Sequence, residues 1–313
     1  MYRHLFGPVP SRRLGMSLGI DLVPHKVCSF NCVYCECGRT TRLTVERAEY
    51  VPVDEVLAEL EHYLAHHDEP DTLTFSGAGE PTLNSRLGEV LRYLLERRRK
   101  ARIAVLTNAS LLDDPGVRAA LAPADLVVPS LDAAREAAFR RLDRPSPRVR
   151  MATYLEGLEA FRAEQHGAMW LEIVILPGYN DSPEDLAALR DAAARLAPER
   201  IQLNTLDRPG TEADLQPATR EGLERIAADW DLPGVEIIAK APPSERTPGF
   251  RTDPEAAVRQ AIARRPCTAE DLARLLGASV AEAEAVLERL RGSGELVSEA
   301  QERGTFYRLA QPR

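Results

Sequence analysis

The amino-acid sequence predicts an α/β protein, with a parallel sheet covered by helices and a small helical unit after it. Short apolar runs alternate with longer amphipathic stretches from Leu18 to about Phe250. The apolar runs are bounded by turn residues, as expected of strands that are buried on both faces of a sheet. After a proline-rich stretch the pattern becomes helical, and a chain of 313 residues has room for two unequal domains.

The predicted strands are brief, and amphipathic stretches lie between them. Strands are expected at residues 18–22, 72–75, 103–106, 126–129, 171–176, 201–204 and 235–238. Helices are expected at residues 54–66, 86–99, 117–121, 151–164 and 184–196. Repeated strand–helix units predict a barrel or a partial barrel, in which ligands bind at the carboxyl ends of the strands.

A change of pattern near residue 250 predicts a second domain. Residues 241–254 hold four prolines and a glycine and are typical of a linker. Helices are then expected at residues 255–264, 268–276 and 280–291, and short strands at 295–298 and 305–309. Three helices followed by a hairpin predict a winged helix-turn-helix domain over residues 251–313, which leaves residues 1–250 for the first domain.

Charge and hydropathy narrow the choice of partners. The net charge of −8 counts against nucleic acid, because basic residues supply most of the affinity for phosphates. The predicted third helix of the second domain carries Glu282, Glu284 and Glu288 against Arg289 and Arg291, so direct DNA binding is disfavoured. No run approaches the roughly 18 apolar residues of a membrane span, and a cytoplasmic protein is expected.

Four of the five cysteines fall between positions 28 and 37. In a reducing cytoplasm, such crowding indicates metal or redox chemistry more often than disulfides. Cys28, Cys32 and Cys35 offer three soft sulfur ligands in one short loop, which favours an iron–sulfur cluster. A structural zinc site would need a fourth ligand, for which Cys37 and His25 are the nearby candidates.

The spacing Cys-x3-Cys-x2-Cys, with Tyr34 before the last cysteine, resembles the signature of the radical S-adenosylmethionine (SAM) superfamily. This resemblance implies a [4Fe–4S] cluster on Cys28, Cys32 and Cys35, with SAM chelating the fourth iron. It also implies a partial (β/α)6-type barrel and a low-potential electron donor such as flavodoxin or ferredoxin. Members of the superfamily cleave SAM reductively, and the resulting 5′-deoxyadenosyl radical abstracts a hydrogen atom from a substrate.

Further positions extend the resemblance to SAM contacts. The stretch Ser76-Gly77-Ala78-Gly79-Glu80 follows the second predicted strand and resembles the family's methionine-binding loop. Other residues lie at or just after predicted strand ends or beside a cysteine, where the resemblance implies contacts with the ribose or the adenine: Asn108, Ser130, Asp132 and Tyr34. The alternative interpretation is structural, because glycines also form tight turns and polar residues at strand ends also cap helices.

A narrower resemblance points to the wyosine-type iron–sulfur oxidoreductases, which include an enzyme that modifies a guanine base of transfer RNA using pyruvate. It is carried by residues 10–15, 17–21, 130–133 and 202–209. That enzyme has a second cluster on upstream cysteines, whereas no cysteine precedes Cys28 here. A Schiff base with pyruvate would require a lysine, for which Lys26 and Lys240 are the candidates.

We therefore expect a radical SAM enzyme whose substrate the sequence does not identify. Two alternatives stay open: wyosine-like modification of a transfer RNA base, and a redox-sensing regulator that binds DNA through its C-terminal domain. Cys37 and Cys267 are expected to be small structural residues. A position just before a helix would instead lower the pKa of the Cys267 thiol.

Overall fold

The computed structural model describes residues 2–212, 214–239, 253–301 and 303–310. Within these residues, eight strands form one sheet. In chain order the strands are β1 (Leu5–Ser11), β2 (Gly15–Ile20), β5 (Thr72–Phe75), β6 (Arg102–Thr107), β7 (Leu126–Pro129), β8 (Ala168–Val174), β9 (Arg200–Asn204) and β10 (Val235–Ile237). Two short strands, β3 (Val27–Cys28) and β4 (Arg42–Leu43), form a separate parallel pair.

The sheet is parallel from β2 to β10, as predicted from the buried apolar runs. It carries one strand that the sequence did not predict, because β1 pairs with β2 in the antiparallel sense at the sheet edge. This strand contains Pro8 and Pro10 and is mostly half-buried, so it lacks the apolar pattern of its neighbours. Proline lacks the N–H that an inner strand needs, which explains why this strand lies at the edge.

The helices that accompany the sheet share its main core. They are α1 (Val53–His66), α2 (Leu87–Arg97), α3 (Pro115–Leu121), α4 (Glu136–Leu142), α5 (Met151–Glu164), α6 (Pro183–Leu196) and α7 (Arg220–Trp230). Leu60 of α1 and Leu158 of α5 belong to the same buried cluster as Val105 and Leu171 of the sheet. The helices α4 and α7 were not predicted. No helix in the described residues is long and apolar enough to cross a membrane.

The turn between β1 and β2 packs on the face of the sheet that lies opposite the helices. Leu14 of this turn packs in a smaller cluster with Ala104, Leu126, Val128 and Trp170. Alternate residues of these strands belong to the main core, and neighbouring side chains of a strand point to opposite faces. The hairpin therefore crosses the face of the sheet that the helices leave uncovered.

The C-terminal segment, residues 253–310, has its own buried apolar cluster. It contains α8 (Pro254–Arg264), α9 (Ala269–Leu276), α10 (Val280–Gly292) and the antiparallel strands β11 (Leu296–Gln301) and β12 (Gly304–Leu309). These elements were all predicted from the sequence. Thr268 and Ser279 form capping boxes at the starts of α9 and α10, and Gly277 ends α9 with a positive φ of 64°. Of the linker predicted at residues 241–254, residues 241–252 lie outside the described residues, as does Lys240, and Pro254 begins α8.

Candidate cofactor site

The cluster loop, residues 28–41, leaves the sheet region at Cys28 and returns to β4 beside it. Two turns shape its centre: the amide of Cys35 donates to the Cys32 carbonyl at 3.3 Å, and the amide of Gly38 donates to the Cys35 carbonyl at 3.1 Å. The loop is closed by Thr40, whose hydroxyl donates to the Phe30 carbonyl at 2.6 Å. The sequence thus folds locally into a compact loop that carries the three predicted ligands.

The donor set fits an iron–sulfur cluster. Cys28, Cys32 and Cys35 are free and half-buried. Across the described part of the chain, no group of three His, Cys, Asp or Glu side chains converges on a single metal ion. A [4Fe–4S] cluster does not require such convergence, because each thiolate binds a different iron. These three thiols therefore suit a cluster better than a structural zinc ion, for which they and Cys37 or His25 would have to meet at one metal.

A buried lysine lies against these thiols. The Nζ atom of Lys26 donates to the sulfur of Cys35 at 3.0 Å, and Lys26 is 3% exposed. Burial lowers the pKa of Lys26, but the Cys35 and Cys28 thiolates oppose it and raise that pKa above its usual value. The pKa of Cys35 is lowered to about 5, because Cys37 and Lys26 both donate hydrogen bonds to its sulfur. Thiolate is the form that binds metal, so this pairing favours ligation.

The other two predicted ligands, Cys28 and Cys32, are less acidic than Cys35. Burial raises the pKa of Cys28 to about 11, and it raises the pKa of Cys32 well above its ordinary value. The carboxyl group of Asp143 also raises the pKa of Cys32, because its Oδ1 lies 3.6 Å from the Cys32 sulfur. Asp143 is 2% exposed and follows the unpredicted helix α4, so no pattern in the sequence singled it out.

The glycine-rich loop, residues 76–80, touches the strand that leads into the cluster loop. The amide of Lys26 donates to the Ala78 carbonyl at 2.6 Å, and the amide of Glu80 donates to the Val27 carbonyl at 3.1 Å. A Cβ on Gly79 would overlap the Val27 carbonyl oxygen. Gly77 has a φ of 154°, which favours glycine. The predicted methionine-binding loop is therefore brought directly to the predicted cluster ligands.

Glu80 holds this loop to the end of β6. Its carboxylate accepts hydrogen bonds from the hydroxyls of Thr82 and Thr107 at 2.6 and 2.7 Å and from the amide of Asn108 at 2.7 Å. It is 2% exposed, and burial raises its pKa while these donors oppose the rise. Glu80 shapes the loop through contacts inside the protein, and its predicted part in binding methionine stays a prediction.

Asn108 and Ser130 lie at neighbouring strand ends, as predicted. The side-chain amide of Asn108 donates to the Ser29 hydroxyl at 2.8 Å and lies 3.5 Å from the Cys28 sulfur. Ser130 is bound through its backbone, because its amide donates to the Thr107 carbonyl at 2.9 Å. Its carbonyl accepts the Tyr154 hydroxyl. Asn108 thus lies beside a predicted cluster ligand, whereas the contacts seen at Ser130 hold the carboxyl end of β7.

Tyr34 and Asp132 were predicted at different parts of SAM, but they contact each other. The Tyr34 hydroxyl donates to Oδ2 of Asp132, and Oδ1 of Asp132 accepts the amide of Val174 at 2.6 Å. Asp132 is 2% exposed, and burial raises its pKa to about 7. The contact joins the cluster loop to the end of β7, across almost 100 residues of sequence.

The two remaining cysteines differ. Cys37 is hydrogen-bonded to Cys35, so it acts on a predicted ligand even though it was expected to be a small structural residue. Cys267 is 4% exposed, and burial raises its pKa. The expectation of a lowered pKa at Cys267 is therefore wrong, because burial outweighs its position before a helix. The expectation of a buried small residue is confirmed.

The chain is similar to one protein family, to proteins of two organisms and to a solved structure. The radical SAM superfamily matches residues 22–190. The chain is 36% identical over 237 residues to a UPF0026 protein of Methanocaldococcus jannaschii, which covers 75% of this chain and 72% of that protein. It is also 36% identical over 246 residues, 76% of this chain, to a Brachyspira hyodysenteriae protein named GTPase Obg, but spans 36% of that protein's length. Streptococcus suis SuiB bound to S-adenosylmethionine matches with a TM-score of 0.53 and 16% identity, over 71% of this chain and 50% of SuiB.

The chain belongs to the radical SAM superfamily and also to the UPF0026 family. Membership of the superfamily implies a [4Fe–4S] cluster and SAM as cofactors, and with them SAM-dependent radical chemistry. The likeness to SuiB shows the fold alone. The name GTPase describes the longer Brachyspira protein, and the present sequence contains no Gly-Lys pair of the kind found in phosphate-binding P-loops.

The close approach at Gly79 predicts the effect of a single methyl group. In Gly79→Ala, the new Cβ would overlap the Val27 carbonyl, so the backbone must shift at a cost of about 1–3 kcal/mol. We expect a lower free energy of unfolding in denaturant and weaker SAM binding in equilibrium dialysis. Gly292→Ala is the matched control, because a Cβ there meets nothing within 4 Å. Unchanged SAM affinity in Gly79→Ala would contradict this account of the loop.

The raised pKa of Asp132 predicts a pH-dependent stability. A folded pKa of about 7, above an unfolded pKa of about 3.9, gives stability that is present at low pH and lost as pH rises through 7. Three pKa units correspond to about 4 kcal/mol. We expect Asp132→Asn, measured on reduced apoprotein by urea unfolding, to become more stable relative to wild type between pH 4 and 8. A difference that stays constant over this range would show that Asp132 is charged throughout.

Proposed function

We propose that this protein is a radical SAM oxidoreductase that cleaves SAM reductively and removes a hydrogen atom from an unidentified substrate. One observation carries the proposal: the three-cysteine loop and the glycine-rich loop are hydrogen-bonded to each other through residues 26–27 and 78–80. The group that binds metal and the group that resembles a methionine site therefore form one site. A low-potential donor, such as flavodoxin or ferredoxin, would supply the electron.

We assign a separate role at this site to each group of residues. Cys28, Cys32 and Cys35 would hold the cluster, which together with SAM supplies the 5′-deoxyadenosyl radical. Lys26 places a positive charge beside the thiolates. Gly77 and Gly79 would let the backbone approach the methionine part of SAM, in a loop that Glu80 fixes. Near the nucleoside, the contacting groups would be Asn108, Ser130, Asp132 and Tyr34.

The architecture we propose for this function is a partial (β/α)6-type barrel followed by a winged helix-turn-helix domain. The parallel order from β2 to β10 supports the barrel, as do the helices packed on one face of the sheet. Three helices and a hairpin with a separate apolar cluster support the second domain. The domain limits at residues 1–250 and 251–313 remain part of the proposal.

Two alternative functions fit the contacts less well. In wyosine-type modification of transfer RNA, a lysine amine must be free to react with pyruvate. Of the two candidates, the Lys26 amine donates to Cys35, and Lys240 lies outside the described residues. In a DNA-binding regulator, the third C-terminal helix should offer free cations. There, Arg289 pairs with Glu255 and Arg291 pairs with Glu288. Paired and outnumbered cations bind phosphate poorly, so we favour the enzyme.

The proposal is tested by anaerobic reconstitution with iron and sulfide, followed by addition of SAM and dithionite. We expect about four irons per chain and formation of 5′-deoxyadenosine in the wild type. Cys32→Ala should lose the product because it removes a ligand. Cys267→Ala is the matched control, because that buried cysteine lies outside the cluster loop, and it should keep the product.

The opposite result is equally informative. A stable cluster that never cleaves SAM, even with stronger low-potential reductants, would contradict the enzyme. The redox-sensing interpretation would then be favoured, and salt-dependent DNA binding by the oxidised and reduced protein would test it.

A further inference from the structure

A buried arginine joins the cluster loop to the C-terminal segment. Arg208 follows β9 and is 6% exposed. Its Nη1 contacts Asp271 of α9 at 2.5 Å and the Pro266 carbonyl at 2.7 Å. Its Nε lies 3.3 Å from Glu36, the residue between Cys35 and Cys37. One guanidinium therefore bridges a residue of the cluster loop and two residues of the C-terminal segment.

Further ion pairs fix both ends of this bridge. On the C-terminal side, Arg303 binds Asp271 and also Asp207, which precedes Arg208. The carboxylate of Asp271 also takes part in the capping box of α9. On the loop side, Arg265 lies 3.8 Å from Glu36. We call Glu36, Asp207, Arg208, Arg265, Asp271 and Arg303 the docking network.

The backbone beside Arg208 lies directly on the cluster loop. The amide of Thr211 donates to the Val33 carbonyl at 2.8 Å. A Cβ on Gly210 would lie 2.7 Å from that carbonyl and 3.0 Å from Cα of Tyr34. The segment after β9 is thus attached to the loop at two places, the Val33 carbonyl and the Glu36 carboxylate. A shift of Arg208 would move the part of the loop that carries Cys32 and Cys35.

The C-terminal segment also contacts a residue next to the glycine-rich loop. Arg264 of α8 pairs with Asp21, which follows β2. A Cβ on Gly77 would overlap Oδ1 of this same Asp21, so the carboxyl group lies directly beside the loop. Both loops of the cofactor site are therefore in contact with groups that the C-terminal segment holds.

We propose that the C-terminal segment is a clamp on the cofactor site and that Arg208 is a positioning residue, which holds the cluster loop through Glu36 and Asp271. Arg208 touches no reacting atom. It acts through Glu36 and the loop, one step further from the metal than the partners of metal ligands, whose loss typically lowers metal affinity by about 10- to 100-fold. The proposal rests on the cluster that superfamily membership implies, and not on the proposed hydrogen abstraction.

The first test uses the full-length, reconstituted holoprotein without SAM. We expect Arg208→Met to lose its cluster to a chelator about 10-fold faster than wild type, followed by the visible absorbance of the cluster. The reduction potential of the cluster should also shift. Arg118→Met is the matched control, because Arg118 is another poorly exposed arginine that binds a carboxylate, Glu164, and main-chain carbonyls away from the loop. Arg208→Lys, which keeps the charge, should recover part of the loss.

A second test determines whether Asp271 and Glu36 affect the rate of cluster loss through Arg208. Asp271→Asn and Glu36→Gln change residues 235 positions apart that share this one guanidinium. Each should speed cluster loss, and the double variant should be about as fast as the faster single variant, because residues in one network are not additive. Asp271→Asn also keeps the test available if Arg208→Met does not fold.

Two results would overturn the proposal. One is an Asp271→Asn holoprotein whose cluster-loss rate and reduction potential equal those of wild type. The other is a double variant in which the two single effects multiply, since the residues would then act independently. Neither readout involves SAM, so a protein that fails to cleave SAM could still confirm the clamp, and a protein that cleaves it could still contradict the clamp.

Discussion

The cofactor site depends on a close approach of two backbone segments. Residues 26–27 and 78–80 exchange hydrogen bonds at 2.6 and 3.1 Å, and this spacing leaves no room for a side chain at Gly79. This close approach determines the orientation of the cluster loop, because Cys28 directly follows the hydrogen-bonded residues 26–27. Glu80 fixes the other side of the contact through buried hydrogen bonds to Thr82 and Thr107. A glycine and a carboxylate therefore act together, one permitting the approach and the other holding it.

Around this contact the protein buries more potential negative charge than positive charge. Burial raises the pKa of Asp132, of Asp143 and of the Cys32 thiol, because no cation among the described residues lies close enough to offset their desolvation. Lys26 offsets the charge of Cys35 alone by direct contact. A bound metal centre carries the largest local charge in such a site and acts in the opposite direction on these groups. The electrostatics of these side chains thus favour a cationic group beside them.

The sequence predicted what depends on local pattern and missed what depends on distant contacts. The parallel strands were predictable, because residues buried on both faces must be apolar. The edge strand β1 was not, since its prolines and half-buried side chains conceal it. The three predicted ligand cysteines are close in sequence and were predicted together. The contact between Tyr34 and Asp132 was not predicted, because only the packing of the loop against the end of β7 brings them together.

The same distinction applies to the C-terminal segment. Its helices and capping boxes follow from local sequence, but its charges are used in a way that composition does not reveal. Arg303 and Asp271 form ion pairs with residues 207 and 208, and the basic residues of α10 pair with carboxylates. A nucleic-acid-binding segment would cluster its basic residues in a patch or stripe on one face. Here the ion pairs with the lowest exposure face the cofactor site, so the arrangement of charge favours a segment that serves this site over one that serves an external phosphate backbone.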